Sequence, residues 1–200
     1  MEYSHIFFDW HGVLSNSRFW HHIPENDLIE AALFGSLHLA LKEWLEGKRD
    51  VYSFISLLSK NTNLQESYLL ETLKESCERF ELCAPDIPSL ISKLKKAGIV
   101  CVIATDNFDV FDMWIVPALK LNVIFDDILN SFNIKHVKPD IDENGYSPFF
   151  GRYFEENNVK KSLLIDDNDY SKVVKALGMD FKLINSSEEF VEFVEKLAVT

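Results

Sequence analysis

The sequence predicts an α/β fold: a doubly wound parallel sheet with a small all-helical unit inserted after its first strand. Three observations predict it. Five short runs (His5 to Phe8, Val100 to Ala104, Val123 to Phe125, Leu163 to Ile165 and Phe181 to Ile184) are largely apolar at consecutive positions, as strands covered on both faces are. Helical patterns separate the last four, and such alternation implies right-handed crossovers and a parallel sheet. Between the first run and the second, residues 15–84 carry helical signals alone. That is far more chain than the roughly one dozen residues a parallel crossover needs.

Within the insertion, Asn26 can cap a long amphipathic helix ending at Gly47, with Leu28, Ile29, Ala32, Leu33, Leu37 and Trp44 on its apolar side. Asp50 can cap a second helix carrying Phe54, Ile55 and Leu58, and a third spans about Leu64 to Phe80. Gly98 and Gly178 stand where helices should stop before the next strand. Ser147 and Pro148 make an N-cap and first-turn pair for a helix through Glu156. Ser187 to Leu197 forms an amphipathic closing helix. The expected units are a core of residues 1–14 and 85–200, and a helical unit of residues 15–84.

A formal net charge of -12, with no run of Lys and Arg, argues against nucleic acid or an anionic membrane surface as partner. An acidic chain that binds an anion needs a bound cation or a local Lys. No apolar stretch approaches the roughly 20 residues that span a bilayer. Met1 to Ile6 lack the features of a signal peptide. Cys77, Cys83 and Cys101 form neither a metal-ligand spacing nor an even set. The expectation is a cytoplasmic protein, monomer or homodimer.

Open parallel sheets bind ligands beyond the carboxyl ends of their strands. The first strand ends in Asp9-Trp10-His11-Gly12, the second in Thr105-Asp106-Asn107, and the fourth in Asp166-Asp167-Asn168, with Lys138-Pro139-Asp140 ahead of the fourth. A carboxylate, a hydroxyl, an amine and an acidic pair on one edge suit phosphoryl transfer. Asp9 can attack phosphorus and form an aspartyl-phosphate. Asp9 with Asp166 and Asp167 can hold Mg2+, which prefers oxygen ligands. Lys138 adds positive charge and Thr105 a hydrogen-bond donor. Asp106 and Asn107 can cap the following helix, or line the substrate.

These four segments, in this order, resemble the four motifs of the haloacid dehalogenase (HAD) superfamily, and the resemblance covers the whole chain. It implies a Rossmann-like core with a helical cap, and a hydrolase acting on a small phosphorylated metabolite. Asp9 would be nucleophile and metal ligand, Thr105 would bind the phosphoryl group, and Lys138 would orient both. The His11 main-chain carbonyl and the acidic pair would complete the metal ligands. Spacing to Gly178 favours Asp166 as the ligand, whereas the doubled-acid form of the motif favours Asp167.

One position departs from the pattern: where the family's phosphatases carry a second Asp for acid–base work, this chain has His11. His can do that work itself, since an imidazole in water ordinarily titrates near pH ~6.5. The change is also compatible with lost turnover, or with other chemistry. Asp9-Trp10-His11-Gly12 resembles the Asp-Trp-Ala-Gly of phosphonoacetaldehyde hydrolases, which would need a Schiff-base Lys in the cap, for which Lys42 and Lys48 are available. The acidic pair argues against a dehalogenase. His21, His22 and His136 read as surface or loop residues, and Phe19, Trp20 and Trp44 as core of the insertion.

Overall fold

A computed structural model describes residues 3–199; residues 1, 2 and 200 of the expected core segments lie outside the described residues. Strands β1 (His5–Phe8), β2 (Val100–Thr105), β3 (Asp127–Asn130), β4 (Ser162–Asp166) and β5 (Asp180–Leu183) form one sheet in the order β3-β2-β1-β4-β5. Every neighbouring pair is parallel. Central β1 is buried at all its positions, because both of its faces are covered.

Alternation along the strands sorts the side chains into two layers. Ile6, Phe8, Cys101, Ile103, Leu163 and Ile165 face α5 (Ile87–Lys96) and α11 (Ser187–Val199). On that side Phe8 meets Phe190 edge-on at 6.2 Å. Phe7, Val102, Ala104 and Leu164 face the other layer, where Phe150 and Tyr153 pack around Phe7. That layer contains α9 (Gly151–Asn157) and α10 (Ser171–Ala176).

The insertion contributes α1 (Asn26–Phe34), α2 (His38–Leu45), α3 (Val51–Thr62) and α4 (Glu66–Glu78). Its buried Ile29, Trp44, Phe54, Leu58, Leu69 and Leu73 belong to the same contiguous apolar cluster as Ile6 and Phe8. Among the described residues no helix is long and apolar enough to cross a membrane.

Four local expectations need correction. The expected single helix from Asn26 to Gly47 is two, broken at Gly35. There the Leu37 N–H turns back to the Ala32 carbonyl, and a Cβ on Gly35 would lie 2.5 Å from the Ala31 oxygen. The apolar spacing continues across the break, which hid it. Asn26 does not cap: Glu25 takes the N-cap position, the buried Asn26 Oδ1 has no hydrogen-bond partner among the described residues, and Leu28 faces outward.

Val123 to Phe125 is not a strand. Residues Leu121–Ile124 form helix α7, which follows a π-helical turn at Phe111–Ile115 and α6 (Val116–Leu119). The third strand starts at Asp127, opposite Val102. As an edge strand it tolerates polar residues at both ends, so its pattern is weaker than that of the helix before it. Finally, Ser147 Oγ accepts the Phe150 N–H, but the turn it holds precedes an α-helix that begins only at Gly151.

Asp50 caps α3 as expected. Its carboxylate accepts the Ser53 N–H at 2.8 Å while Ser53 Oγ accepts the Asp50 N–H at 3.2 Å, a reciprocal capping box. Asp50→Ala should therefore lower the unfolding free energy by about 1 kcal/mol, measured as a shift of the urea midpoint with unchanged slope.

Candidate active site

The strand order reverses between β1 and β4, and at such a switch point the two neighbouring loops diverge and leave a crevice. Asp9 follows β1 directly. Its N–H donates to the Ile165 carbonyl at 2.9 Å, which extends the ladder by one residue and seats Asp9 beside the end of β4. Asp166 is the last residue of β4 and Asp167 follows it. Thr105 ends β2 on the other side of β1 and is buried. Lys138 comes from the loop between α8 (Ser131–Ile134) and α9, and the Asp106 carboxylate holds its main-chain N–H at 2.8 Å.

From that anchor the Lys138 side chain reaches inward, only 2% exposed. Its ammonium donates to Asp9 Oδ1 at 2.7 Å and to Asp166 Oδ2 at 2.5 Å. The ring of Tyr170 lies under the same ammonium, 5.1 Å to its centroid. Asp9, Asp166 and Asp167 each offer an oxygen within 4.8 Å of the others.

Gly12 makes this convergence possible. It has φ +80°, and a Cβ there would fall 2.1 Å from Asp167 Oδ2. Any side chain would push the Asp167 carboxylate away from the first loop. His11 is exposed beside it, close enough for its charge to act on Asp167.

No family model and no curated protein matches the sequence. Solved structures do. A predicted HAD-like family hydrolase from Porphyromonas gingivalis superposes with a TM-score of 0.74 at 19% identity, covering 98% of each chain. A HAD family enzyme from Bacteroides thetaiotaomicron does so at 0.76 and 16% identity, over 96% of this chain and 98% of that one. The fold is HAD-like. A wild-type complex of the Bacteroides enzyme with magnesium and inorganic phosphate superposes at 0.62 and 16% identity, over 90% of this chain and 93% of that one.

In the HAD-like crevice, Asp9, Asp106, Asp166 and Asp167 crowd around Lys138. Burial pushes the Asp9 and Asp166 carboxyls above the usual carboxylate range, against the pull of the Lys138 charge. Burial also pushes Asp106 up to about 6. Asp167 is raised by burial and by Asp166, with His11 opposing. For Lys138, burial alone would lower the amine, but Asp9, Asp166 and Asp106 outweigh it and hold it above its ordinary value. Asp9 and Asp166 are buried and Asp167 is exposed, a cluster whose charge a further cation could offset. Three carboxylates within one ion's reach are the hard oxygen donors that Mg2+ takes.

Asp106 does not cap the helix after β2, as the sequence suggested, because its carboxylate is turned to the Lys138 amide. Asn107 Oδ1 accepts the adjacent Phe108 N–H, and its Nδ2 lies 3.5 Å from Thr105 Oγ1. Lys42 and Lys48 both pair with Glu46, and that pairing raises Lys48, opposite to what a Schiff-base amine requires. His22 sits between Glu75 and Ser76, each at 3.2 Å, and His136 lies 3.4 Å from Asp140. Trp20 and Trp44 are buried, and Phe19 packs on Phe80 and Phe108.

Tyr170 and Asp109 escaped the sequence reading. Asp109 is a buried acid that receives the Trp44 indole N–H, 65 residues away in sequence. No local pattern announces such a contact.

The raised acids carry a sign. A carboxyl whose folded pKa lies above its unfolded value stabilises the fold at low pH, and this is lost as pH rises through the folded value. For Asp106 the window runs from about 4 to about 6. In metal-free protein Asp106→Asn should therefore gain stability relative to wild type as pH rises from 4 to 7. Urea midpoints of the two proteins across that range would test it, and parallel curves would count against it.

Proposed function

We propose that the chain is a magnesium-dependent phosphatase that acts on a small soluble phosphomonoester through an aspartyl-phosphate on Asp9. The observation that carries this reading is the buried Lys138 ammonium held between Asp9 and Asp166, with Asp167 alongside. It is supported by the fold neighbour from Bacteroides thetaiotaomicron, whose structure contains magnesium and inorganic phosphate.

Lys138 engages Asp9 Oδ1, which leaves Oδ2 as the attacking atom. Oδ2 forms a bond to phosphorus as the bond from phosphorus to the leaving oxygen breaks. His11, at the exposed mouth, gives a proton to that oxygen. It then takes a proton from the water that cleaves the aspartyl-phosphate. Thr105, Asn107 and Lys138 bind the phosphoryl oxygens. Asp9, the His11 carbonyl, Asp166 and Asp167 would hold Mg2+. When bound, the ion supplies charge that offsets repulsion between the anionic nucleophile and the anionic substrate. Residues 1–14 and 85–200 form the core in this reading, and residues 15–84 form a cap that excludes water over the substrate.

Purified protein with magnesium should hydrolyse an aryl phosphate. Asp9→Asn or a chelator should abolish the activity, and equal rates in wild type and mutant would remove Asp9 as nucleophile. His11→Asp tests the acid–base assignment. If His11 performs the proton transfers, the rate should change modestly and its pH profile should shift. A rise on the order of 10²–10⁴, the usual worth of a general acid–base group, would instead mean that His11 has suppressed turnover.

A further inference from the structure

Sheet and insertion are joined by buried polar contacts away from the chain connections between them. The turn between α2 and α3 docks on the core at several points. Trp44 stacks on Phe108 with ring centroids 4.0 Å apart, and its indole N–H donates to Asp109 Oδ1 at 2.7 Å. Asp109 Oδ2 accepts the Val51 N–H at 2.9 Å, at the first turn of α3. Gly47 lies so close to α8 that a Cβ would fall 2.2 Å from the Phe132 carbonyl oxygen. Lys135 donates to the Gly47 carbonyl at 3.0 Å.

Ser131 stands at the centre of this contact, fully buried. Its hydroxyl donates to the carbonyl of Leu45, the last residue of α2, at 2.8 Å and accepts the Asn107 N–H at 3.0 Å. The Asn107 carbonyl, 3.2 Å away, is a competing acceptor for the same proton. A hydroxyl has one proton, so it cannot serve both carbonyls fully. While the turn is seated, the nearer Leu45 carbonyl takes the proton and a lone pair faces the Asn107 N–H. With the turn gone, Ser131 loses its tether to the Leu45 carbonyl, and the oxygen that accepts the Asn107 N–H is held at one point fewer. Asn107 adjoins Asp106, which anchors Lys138, and follows closely on Thr105.

We infer that Ser131 is a positioning residue that couples seating of the α2–α3 turn to the order of the Thr105–Asn107 loop. Closure of the insertion and preparation of that loop are then one event. The loop's part in holding phosphate rests on the phosphatase reading; the coupling itself does not.

Amide hydrogen exchange on metal-free protein tests it without any substrate. Ser131→Ala should speed exchange at Asn107 and also across Glu46 to Val51, by roughly fivefold, the worth of one net hydrogen bond. Amides within α4, in the same insertion but away from the contact, should hold their rates. Trp44→Phe keeps an aromatic ring but loses the N–H to Asp109. It should speed exchange at Asn107 in turn, since coupling is reciprocal. Exchange at Asn107 that Trp44→Phe leaves unchanged overturns the inference. If Ser131→Ala fails to fold, Trp44→Phe alone decides. With an aryl phosphate, Ser131→Ala should raise KM more than it lowers kcat, a split that general destabilisation would not give. Wild type inactive on every phosphoester would sink the phosphatase reading, while the exchange result would still decide the coupling.

Discussion

The Lys138 ammonium, shared between Asp9 and Asp166 out of contact with water, is the interaction on which the rest of the crevice depends. A buried ion pair gains little net stability, because desolvation of both partners opposes the attraction. Its value here is positional. Asp9 directly follows β1, Asp166 is the last residue of β4, and the amine arrives from a separate loop. None of the three can move without leaving a charge unpaired in a place where that is costly. The Asp106 carboxylate on the Lys138 main chain and the Tyr170 ring under its ammonium fix the amine from two further sides.

That arrangement follows from topology. In a sheet of order β3-β2-β1-β4-β5, parallel strands deliver their carboxyl ends to one edge, and the reversal beside β1 opens the crevice there. The ladder bond from Asp9 to Ile165 carries the pairing one residue past β1, so the first acid and the acidic pair meet at close range. Gly12 then admits Asp167 to a space that a single added carbon would close. Asp9, Asp166 and Asp167 bring three carboxylates within one ion's reach beside the Lys138 ammonium, and that is the physical reason the crevice suits a divalent cation.

The insertion is bound into this arrangement. Its apolar side chains continue the cluster on one face of the sheet, and the α2–α3 turn reaches the loop after β2 through Asp109 and Ser131. The aromatic residues that gave the insertion its predicted core have a second role at this contact: Trp44 stacks on both Phe54 and Phe108. Lys42 and Lys48, which a phosphonatase reading would need as reactive amines, are occupied with Glu46 at the surface.

By itself the sequence determined the parallel α/β class with its helical insertion, four of the five strands, the Asp50 cap and the segments that end at the crevice. These are local properties: consecutive apolar runs, glycines at helix ends, and acids just past a strand. The edge strand was misplaced because one exposed side lets its pattern fade, and the break at Gly35 was missed because apolar spacing ran through it. The partners of Asp106, Asp109, Ser131 and Tyr170 were decided only in three dimensions. Each of these residues owes its role to a group far away in the chain, and hydrogen bonds or ring contacts of that kind leave no periodic trace in a sequence.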